Sequence, residues 1–98
     1  ETLNRDLLSP ELVQIELRNI ATELATEIFS KNLKPKTITL KIKYYDFLSI
    51  TRSRTFTEPV TSFEALYPNL EDLLLNHTLV GRKAIRLIGC STSNFLYG

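Results

Sequence analysis

The first third of the chain joins a helix start signal to apolar residues at helical spacing. Ser9 followed by Pro10 is typical of an N-cap with proline at the first helical position. Apolar residues then recur every three or four positions: Val13, Leu17, Ile20, Ala21, Leu24 and Ile28. The pattern predicts an amphipathic helix over residues 10–30 whose outer face is acidic.

Two strands are indicated in the middle of the chain. After Lys34-Pro35-Lys36, polar and apolar residues alternate with period two over residues 37–44, which is the clearest strand pattern in the sequence. Its apolar positions form an inward row: Ile38, Leu40 and Ile42. Asp46-Phe47 marks a turn or bulge, and the β-branched and hydroxyl residues over 48–56 predict an antiparallel partner strand.

A second helix and a last strand complete the pattern. Thr61-Ser62-Phe63-Glu64 has the spacing of a capping box. An apolar stripe follows it: Phe63, Leu66, Leu70, Leu73 and Leu74. Pro68 predicts a kink or an interrupted first turn, and Asn76-His77 predicts the helix end. Residues 82–91 predict a strand, and residues 93–98 an exit segment.

These elements favour an α+β fold. The order is helix, strand, strand, helix, strand, with a remnant strand near Thr2-Leu3. Two amphipathic helices and three or four strands share one core most simply when both helices cover one face of an antiparallel sheet. With 98 residues, the chain is long enough for one such core and too short for two, so we expect a single domain over residues 1–98.

Composition places the chain among ordinary globular proteins. It is 43% hydrophobic and 23% charged, far from the disordered classes. No apolar run approaches the roughly 18 residues that cross a bilayer, and the first residues lack a signal peptide pattern. Cys90, the single cysteine, cannot form an internal disulfide, which fits a reducing compartment. We expect a cytoplasmic protein that neither spans a membrane nor is secreted.

Charge is segregated along the chain although the net charge is only +1. Residues 1–30 and 57–81 each carry a net charge of −4, whereas residues 31–56 carry +6 and residues 82–98 carry +3. Acidic residues therefore belong to the helices and basic residues to the strands. An uncovered basic sheet face is a plausible footprint for phosphates.

Arg52 and Arg54 are the first candidates for phosphate contact. Residues two apart on a strand leave the same face about 6.5–7 Å apart, close to the spacing of successive phosphates on one nucleic-acid strand. Neighbouring hydroxyls, including that of Thr55, add further donors. The alternative is a solvated edge strand on which the two arginines serve solubility.

Three more cations are candidates with equally open alternatives. Lys41 and Lys43 repeat the same geometry on the neighbouring strand, where they could also be ordinary surface lysines. Arg86 lies in an apolar strand of ambiguous alternation, so it either contacts phosphate or pairs with an acidic helix. Gly89 allows a close approach by a partner or, as the simpler interpretation, marks a bulge.

Catalytic chemistry finds little support. His77, the only histidine, stands at an expected helix end, where a capping or exposed role is typical. Cys90 has apolar neighbours and no nearby base, so a small core residue is the better interpretation. The sequence has no metal-ligand cluster and no glycine-rich phosphate loop. We therefore expect no catalytic residue and no cofactor within these 98 residues.

The strand segments together carry a family resemblance. The stretches KTITLKIKYYDF (36–47), ITRSRTF (50–56) and IRLIGCSTSNF (85–95) resemble the little-finger domain of Y-family translesion DNA polymerases, most closely the bacterial DNA polymerase IV (DinB-type) branch. The resemblance covers nearly the whole chain in the same order and spacing. The helix segments LRNIA (17–21) and ELA (23–25) also stand where the family has a helix.

The resemblance implies a β-α-β-β-α-β domain whose open sheet face lies along primer-template DNA and contacts phosphates. It implies that the first strand is truncated, and that the strand with Arg52 and Arg54 and the last strand supply the contacts. Arg86, Leu87 and Ser91 occupy contact positions on the last strand. Because some relatives have arginine at the last two of these, weaker contacts are expected there.

The resemblance also implies a larger parent polymerase. Its Mg²⁺-binding palm carboxylates would lie in an upstream part, and a sliding-clamp-binding peptide would follow this domain. The expected role is accessory DNA binding during DNA damage bypass. The alternative is a stand-alone ferredoxin-like regulatory or protein-interaction module, and an RNA-recognition module would need stacking aromatics on the central strands. A small hydrolytic or acyl-transfer enzyme lacks a nucleophile with a base.

Overall fold

The computed structural model describes residues 2–96, and side chains from residue 6 onward. Six elements follow one another: β1 (Thr2–Leu7), α1 (Pro10–Ser30), β2 (Pro35–Tyr44), β3 (Ser49–Thr55), α2 (Phe63–His77) and β4 (Ile85–Phe95). The strands form one sheet in the order β1-β4-β2-β3, in which all neighbours are antiparallel. The predicted α+β fold with a four-stranded antiparallel sheet and two helices is confirmed.

Side-chain caps begin both helices. Ser9 caps α1, and its Oγ accepts a hydrogen bond from the Leu12 N–H (3.5 Å), so the predicted start and end of this helix are confirmed. Helix α2 is capped by Ser62, whose Oγ accepts from the Ala65 N–H (3.2 Å). The capping box predicted from Thr61 is therefore wrong by one residue, because Ser62 has the extended backbone of a cap.

Helix α2 runs through Pro68 without interruption. Buried side chains on either side of the proline, Leu66 and Leu70, anchor the helix to the sheet, while Pro68 itself is exposed. The predicted interruption is wrong because this packing outweighs the missing backbone hydrogen bond. The predicted helix end at His77 is confirmed.

Both helices pack on the same face of the sheet. Helix α1 lies against β4, and α2 lies against β2 and β3. The core between the layers is apolar throughout and draws on both helices and the central strands: Val13, Leu17, Ile28, Ile38, Leu40, Ile42, Leu66, Leu70, Leu74, Ile85 and Ile88. Burial of these side chains supplies the main stabilisation of the fold. No helix among the described residues is long and apolar enough to cross a membrane.

The outer limits of the sheet differ from the sequence prediction. Strand β1 has six residues, so it is longer than the remnant strand predicted at Thr2-Leu3. Strand β4 begins at Ile85 because the N–H groups of Arg82 and Lys83 both donate to the Leu79 carbonyl (2.9 Å each) in a tight turn. It continues to Phe95, opposite Pro35, where an exit segment was predicted. Tyr97 and Gly98 lie outside the described residues.

A bulge occurs in β4, but not at Gly89. Lys43 pairs with Leu87, but the next residue of β2, Tyr44, pairs with Ile85. Arg86 is therefore the extra residue of a bulge in β4. Gly89 pairs regularly with Lys41, so the predicted bulge at the glycine is wrong. A Cβ added to Gly89 would meet no atom within 4 Å, which leaves open space above this point of the sheet.

Candidate nucleic-acid interface

The strand register decides which face each side chain occupies. On β2, the side chains of Ile38, Leu40 and Ile42 are fully buried under the helices. The residues between them therefore point to the side that no helix covers, which we call the open face. On β3, Arg52 pairs with Leu40 and Arg54 pairs with Ile38. Directly paired residues share a face, so both arginines lie on the helix side of the sheet.

Helix α2 engages both guanidinium groups. Arg54 donates to Asn69 Oδ1 (2.9 Å) and forms an ion pair with Asp72 Oδ2 (2.6 Å). Arg52 Nε donates to the carbonyl of His77 (2.8 Å), the last residue of α2. Arg52 Nη1 donates to the Thr51 carbonyl (2.8 Å). The prediction that these arginines emerge on an uncovered face is therefore wrong.

The physical reason lies in one residue of β3 and the residue that directly follows the strand. Ile50 and Phe56 have the same parity as the two arginines, and both pack against the core. Because side chains alternate between faces, burying this apolar pair turns Arg52 and Arg54 inward as well. From β3, at the edge of the sheet, the long arginine side chains reach α2. This parity was the signal in the sequence that would have placed them.

Hydroxyl groups dominate the open face of β2, β3 and β4. They belong to Thr37, Thr39, Ser49, Thr51, Ser53, Thr55, Ser91 and Ser93. Two pairs bridge neighbouring strands, since the hydroxyls of Thr37 and Thr55 lie 2.9 Å apart, as do those of Thr39 and Ser53. The two predicted hydroxyl sites, Thr55 and Ser91, both lie here. The sequence also predicts the hydroxyls of Thr51 and Ser53, which alternate with the arginines, as donors. It does not single out the other hydroxyl residues of this face: Thr37, Thr39, Ser49 and Ser93.

Lys41 and Lys43 are the cations of β2 on the open face. Lys41 is exposed, and it pairs with Thr51 on one side and Gly89 on the other. Lys43 is half-buried between Ser49 and Leu87. In this part of the structure, the lysines therefore stand where the sequence placed them, two residues apart and away from the helices.

Arg86 joins this group through the β2–β3 turn. Its Cζ lies 4.6 Å from the centre of the Phe47 ring, and the Lys43 Nζ lies 5.9 Å from the same point. An oxygen of Asp6, on β1, lies 3.8 Å from Arg86 Nη1, so the two side chains form an ion pair, although the distance is too long for a hydrogen bond. Of the two predicted alternatives, pairing with an acidic helix does not occur, because this acid belongs to a strand.

The two sides of the sheet differ in charge, although Asp6 of β1 lies beside Arg86 and the inward arginines Arg52 and Arg54 lie on the helix side. Across the described lengths of β2, β3 and β4, the open-face positions carry cations and hydroxyls, together with Leu87 and Gly89, and no carboxylate. The helices carry the acids: Glu11, Glu16, Glu23, Glu27, Glu64, Glu71 and Asp72. Arg54 holds the pKa of Asp72 below its ordinary value, so this carboxylate stays ionised beside its partner.

Cys90 lies on the helix side, opposite Leu40 and against the core. Burial raises the pKa of its thiol to about 11, so the reactive thiolate is suppressed. Its predicted role as a small core residue fits this position. Among the described residues, no group of three or more His, Cys, Asp or Glu side chains could hold a metal ion.

Comparison with known proteins agrees with this arrangement. The model of the impB/mucB/samB family C-terminal domain matches residues 1–97. A curated relative named DNA polymerase IV, from Bacteroides fragilis (strain YCH46), is 42% identical over 93 residues, which is 95% of this chain and 25% of the relative. The chain thus spans about a quarter of the length of the curated relatives that it matches.

Solved structures share the fold. The insertion ternary complex of Dbh DNA polymerase superposes with a TM-score of 0.83 at 23% identity, over 99% of this chain and 27% of that one. The little-finger domain of PolIV, solved in a complex with the beta-clamp processivity factor, gives a TM-score of 0.71 at 17% identity, over 95% of this chain and 82% of that one. Sequence pattern, fold and family match agree, and the chain belongs to the impB/mucB/samB family of C-terminal domains, the little-finger domains of Y-family DNA polymerases.

Proposed function

We propose that this domain binds the phosphate backbone of primer-template DNA for a translesion DNA polymerase during DNA damage bypass. The observation that supports this most strongly is the open face, where Lys41, Lys43 and Arg86 stand among hydroxyls on a surface that neither helix covers. Lysine, arginine and hydroxyl side chains are the groups that proteins use to contact phosphate oxygens.

The spacing on the open face suits a phosphate strand. Lys41 and Lys43 lie two residues apart, so their side chains leave the sheet about 6.5–7 Å apart, near the distance between successive phosphates. The open space above Gly89 lets a DNA backbone approach the strand beside Lys41. Thr55 and Ser91 extend the row of donors onto the two neighbouring strands.

Arg52 and Arg54 have no part in this proposal. Their guanidinium groups are directed to α2, and binding DNA through them would require breaking the contacts to Asp72 and His77. We therefore expect these two residues to act on stability rather than on DNA affinity.

The proposal for the parent protein rests only on similarity to longer relatives. Because the relatives are about four times longer than this chain, we propose that the domain works beside a catalytic part that uses Mg²⁺ and that lies outside these residues. A contact with a sliding clamp is proposed on the same ground, since a related little-finger domain was solved in complex with a beta-clamp. The alternative of a stand-alone regulatory module is not favoured by the family match.

Salt-dependent titration tests the proposal. Fluorescence anisotropy of labelled primer-template DNA should show binding whose log K falls linearly with log salt, with a similar affinity for two unrelated sequences. Binding without salt dependence, or a strong preference for one sequence, would contradict the proposal.

Charge reversal locates the surface. Lys41→Glu/Lys43→Glu should weaken binding at least about tenfold, because it places two repelling charges at the phosphate row. The matched control, Arg18→Glu/Lys31→Glu, makes the same change in charge on helix α1 and its C-cap residue and should lower affinity far less, because only the long-range field acts there. Equal losses in the two variants would show that net charge, and not the open face, determines binding.

A further inference from the structure

The turn between β2 and β3 contains a strained aromatic residue. Phe47 has a φ of 68°, and the residue is 62% exposed to solvent. Its N–H donates to the Tyr44 carbonyl (2.9 Å), and the next N–H, of Leu48, donates to Asp46 Oδ1 (3.2 Å). A bulky side chain is rare at positive φ, where glycine or asparagine fits without strain.

Core packing does not account for this phenylalanine, because most of its surface is in solvent. What the ring contacts instead is charge: Arg86 at 4.6 Å and Lys43 at 5.9 Å from its centre. These cations come from the neighbouring strands β2 and β4, and like charges repel each other; the carboxylate of Asp6 is a second group near Arg86, at 3.8 Å. The negative face of an aromatic ring attracts cations, so one ring stabilises both side chains near each other.

We propose that Phe47 is a positioning residue for DNA binding, which holds Lys43 and Arg86 together at the turn end of the open face as one phosphate-binding pair. This inference rests on the proposed function. Free lysine and arginine side chains sample many rotamers, and fixing them on a ligand costs conformational entropy. The ring restricts both side chains before DNA arrives, which leaves less entropy to be lost on binding.

The strain at Phe47 makes the inference testable. Phe47→Gly relieves the backbone and removes the ring, and Phe47→Asn does the same with a residue that also accepts positive φ. We expect both variants to bind primer-template DNA about fivefold more weakly than the wild type, with a melting temperature that is not lower. Phe47→Tyr keeps the ring face and should bind within about twofold of the wild type.

A double-mutant comparison separates positioning from direct contact. In a Lys43→Ala/Arg86→Ala background, Phe47→Gly should cause no further loss of affinity, because the ring no longer has cations to hold. An equal loss in both backgrounds would overturn the inference, since the ring would then act on DNA by itself. So would a tyrosine variant that binds as weakly as the glycine variant.

The remaining outcomes are also decisive. If wild type and Phe47→Gly bind equally well, with the usual salt dependence, the inference fails and the proposed function stands. If the wild type shows no salt-dependent binding, the proposed function itself fails. Unfolding of both the glycine and the asparagine variants at the assay temperature would overturn the inference, because Phe47 would then support the fold.

Discussion

Two pairs of basic residues, Lys41 and Lys43 on β2 and Arg52 and Arg54 on β3, look alike in the sequence and differ in the structure. Each pair is spaced two residues apart and stands among hydroxyl and apolar residues. The strands are hydrogen-bonded neighbours. Yet the lysines occupy the open face, while the arginines reach under the sheet edge to α2. The i, i+2 spacing shows that two side chains share a face, but it does not show which face.

The difference shows how the rest of each strand fixes the face. On β2, three buried aliphatic residues alternate with the lysines and leave the lysines outside. Ile50 on β3 and Phe56 directly after it have the parity of the arginines, so all four side chains lie on the helix side. Arginine suits that inward position because its planar guanidinium donates to several acceptors at once. We therefore expect the lysines to act on ligand binding and the arginines on the stability of the fold.

The largest expected effect is on stability. Arg52→Ala/Arg54→Ala should lower the Tm by about 5 °C, because it removes the contacts that tie the edge strand to α2. Lys41→Ala/Lys43→Ala should stay within about 2 °C of the wild type, as surface substitutions usually do. Thermal denaturation followed by circular dichroism measures both variants. A larger fall in the lysine variant would reverse the assigned roles.

A smaller effect is expected from the open-face hydroxyls. Thr39→Val/Ser53→Ala removes one cross-strand hydroxyl pair and should weaken DNA binding about two- to fivefold, because two donors to phosphate are removed. Thr92→Val is the matched control, since Thr92 pairs with Ile38 on the helix side. Its affinity should match that of the wild type. If the control loses as much affinity as the double variant, the loss does not come from the open face.

The smallest expected effect is the pH dependence of the stability that the Arg54–Asp72 ion pair contributes. The pKa of Asp72 is lowered chiefly by its hydrogen bond with Arg54, so the pair stabilises the fold above the ordinary pKa of an aspartate, about 4, and this contribution is lost as the pH falls further. The difference in Tm between the wild type and Arg54→Ala should therefore narrow below about pH 4. A difference that stays constant from pH 7 to pH 3 would show that the ion pair contributes nothing.

Large apolar residues with regular spacing made most of the fold predictable. The limits of α1, the cap at Ser9 and the inward row of β2 all follow from such patterns, because burial of those side chains dominates the energetics. The exact cap of α2 was not predictable, since Thr61 and Ser62 are both good capping residues. The ends of β1 and β4 depend on pairing partners that are distant in the sequence.

The site was predictable only in part. Lys41 and Lys43 were placed correctly because their strand has an unambiguous buried side. Strand β3 is an edge strand with few apolar residues, so its face depended on Ile50 and Phe56 at its two ends. The place of Arg86 follows from a bulge, which no periodic pattern reveals. The proximity of Phe47 to Arg86 depends on the same bulge.

The salt dependence of DNA binding tests the division between the two basic pairs most directly. Anisotropy titrations on one primer-template DNA should show that Lys41→Ala/Lys43→Ala flattens the slope of log K against log salt by up to about 1.8, or about 0.9 for each phosphate that the variant no longer neutralises. Arg52→Ala/Arg54→Ala should keep the wild-type slope at a temperature where it is folded. A flattened slope in the arginine variant, with an unchanged slope in the lysine variant, would contradict the account.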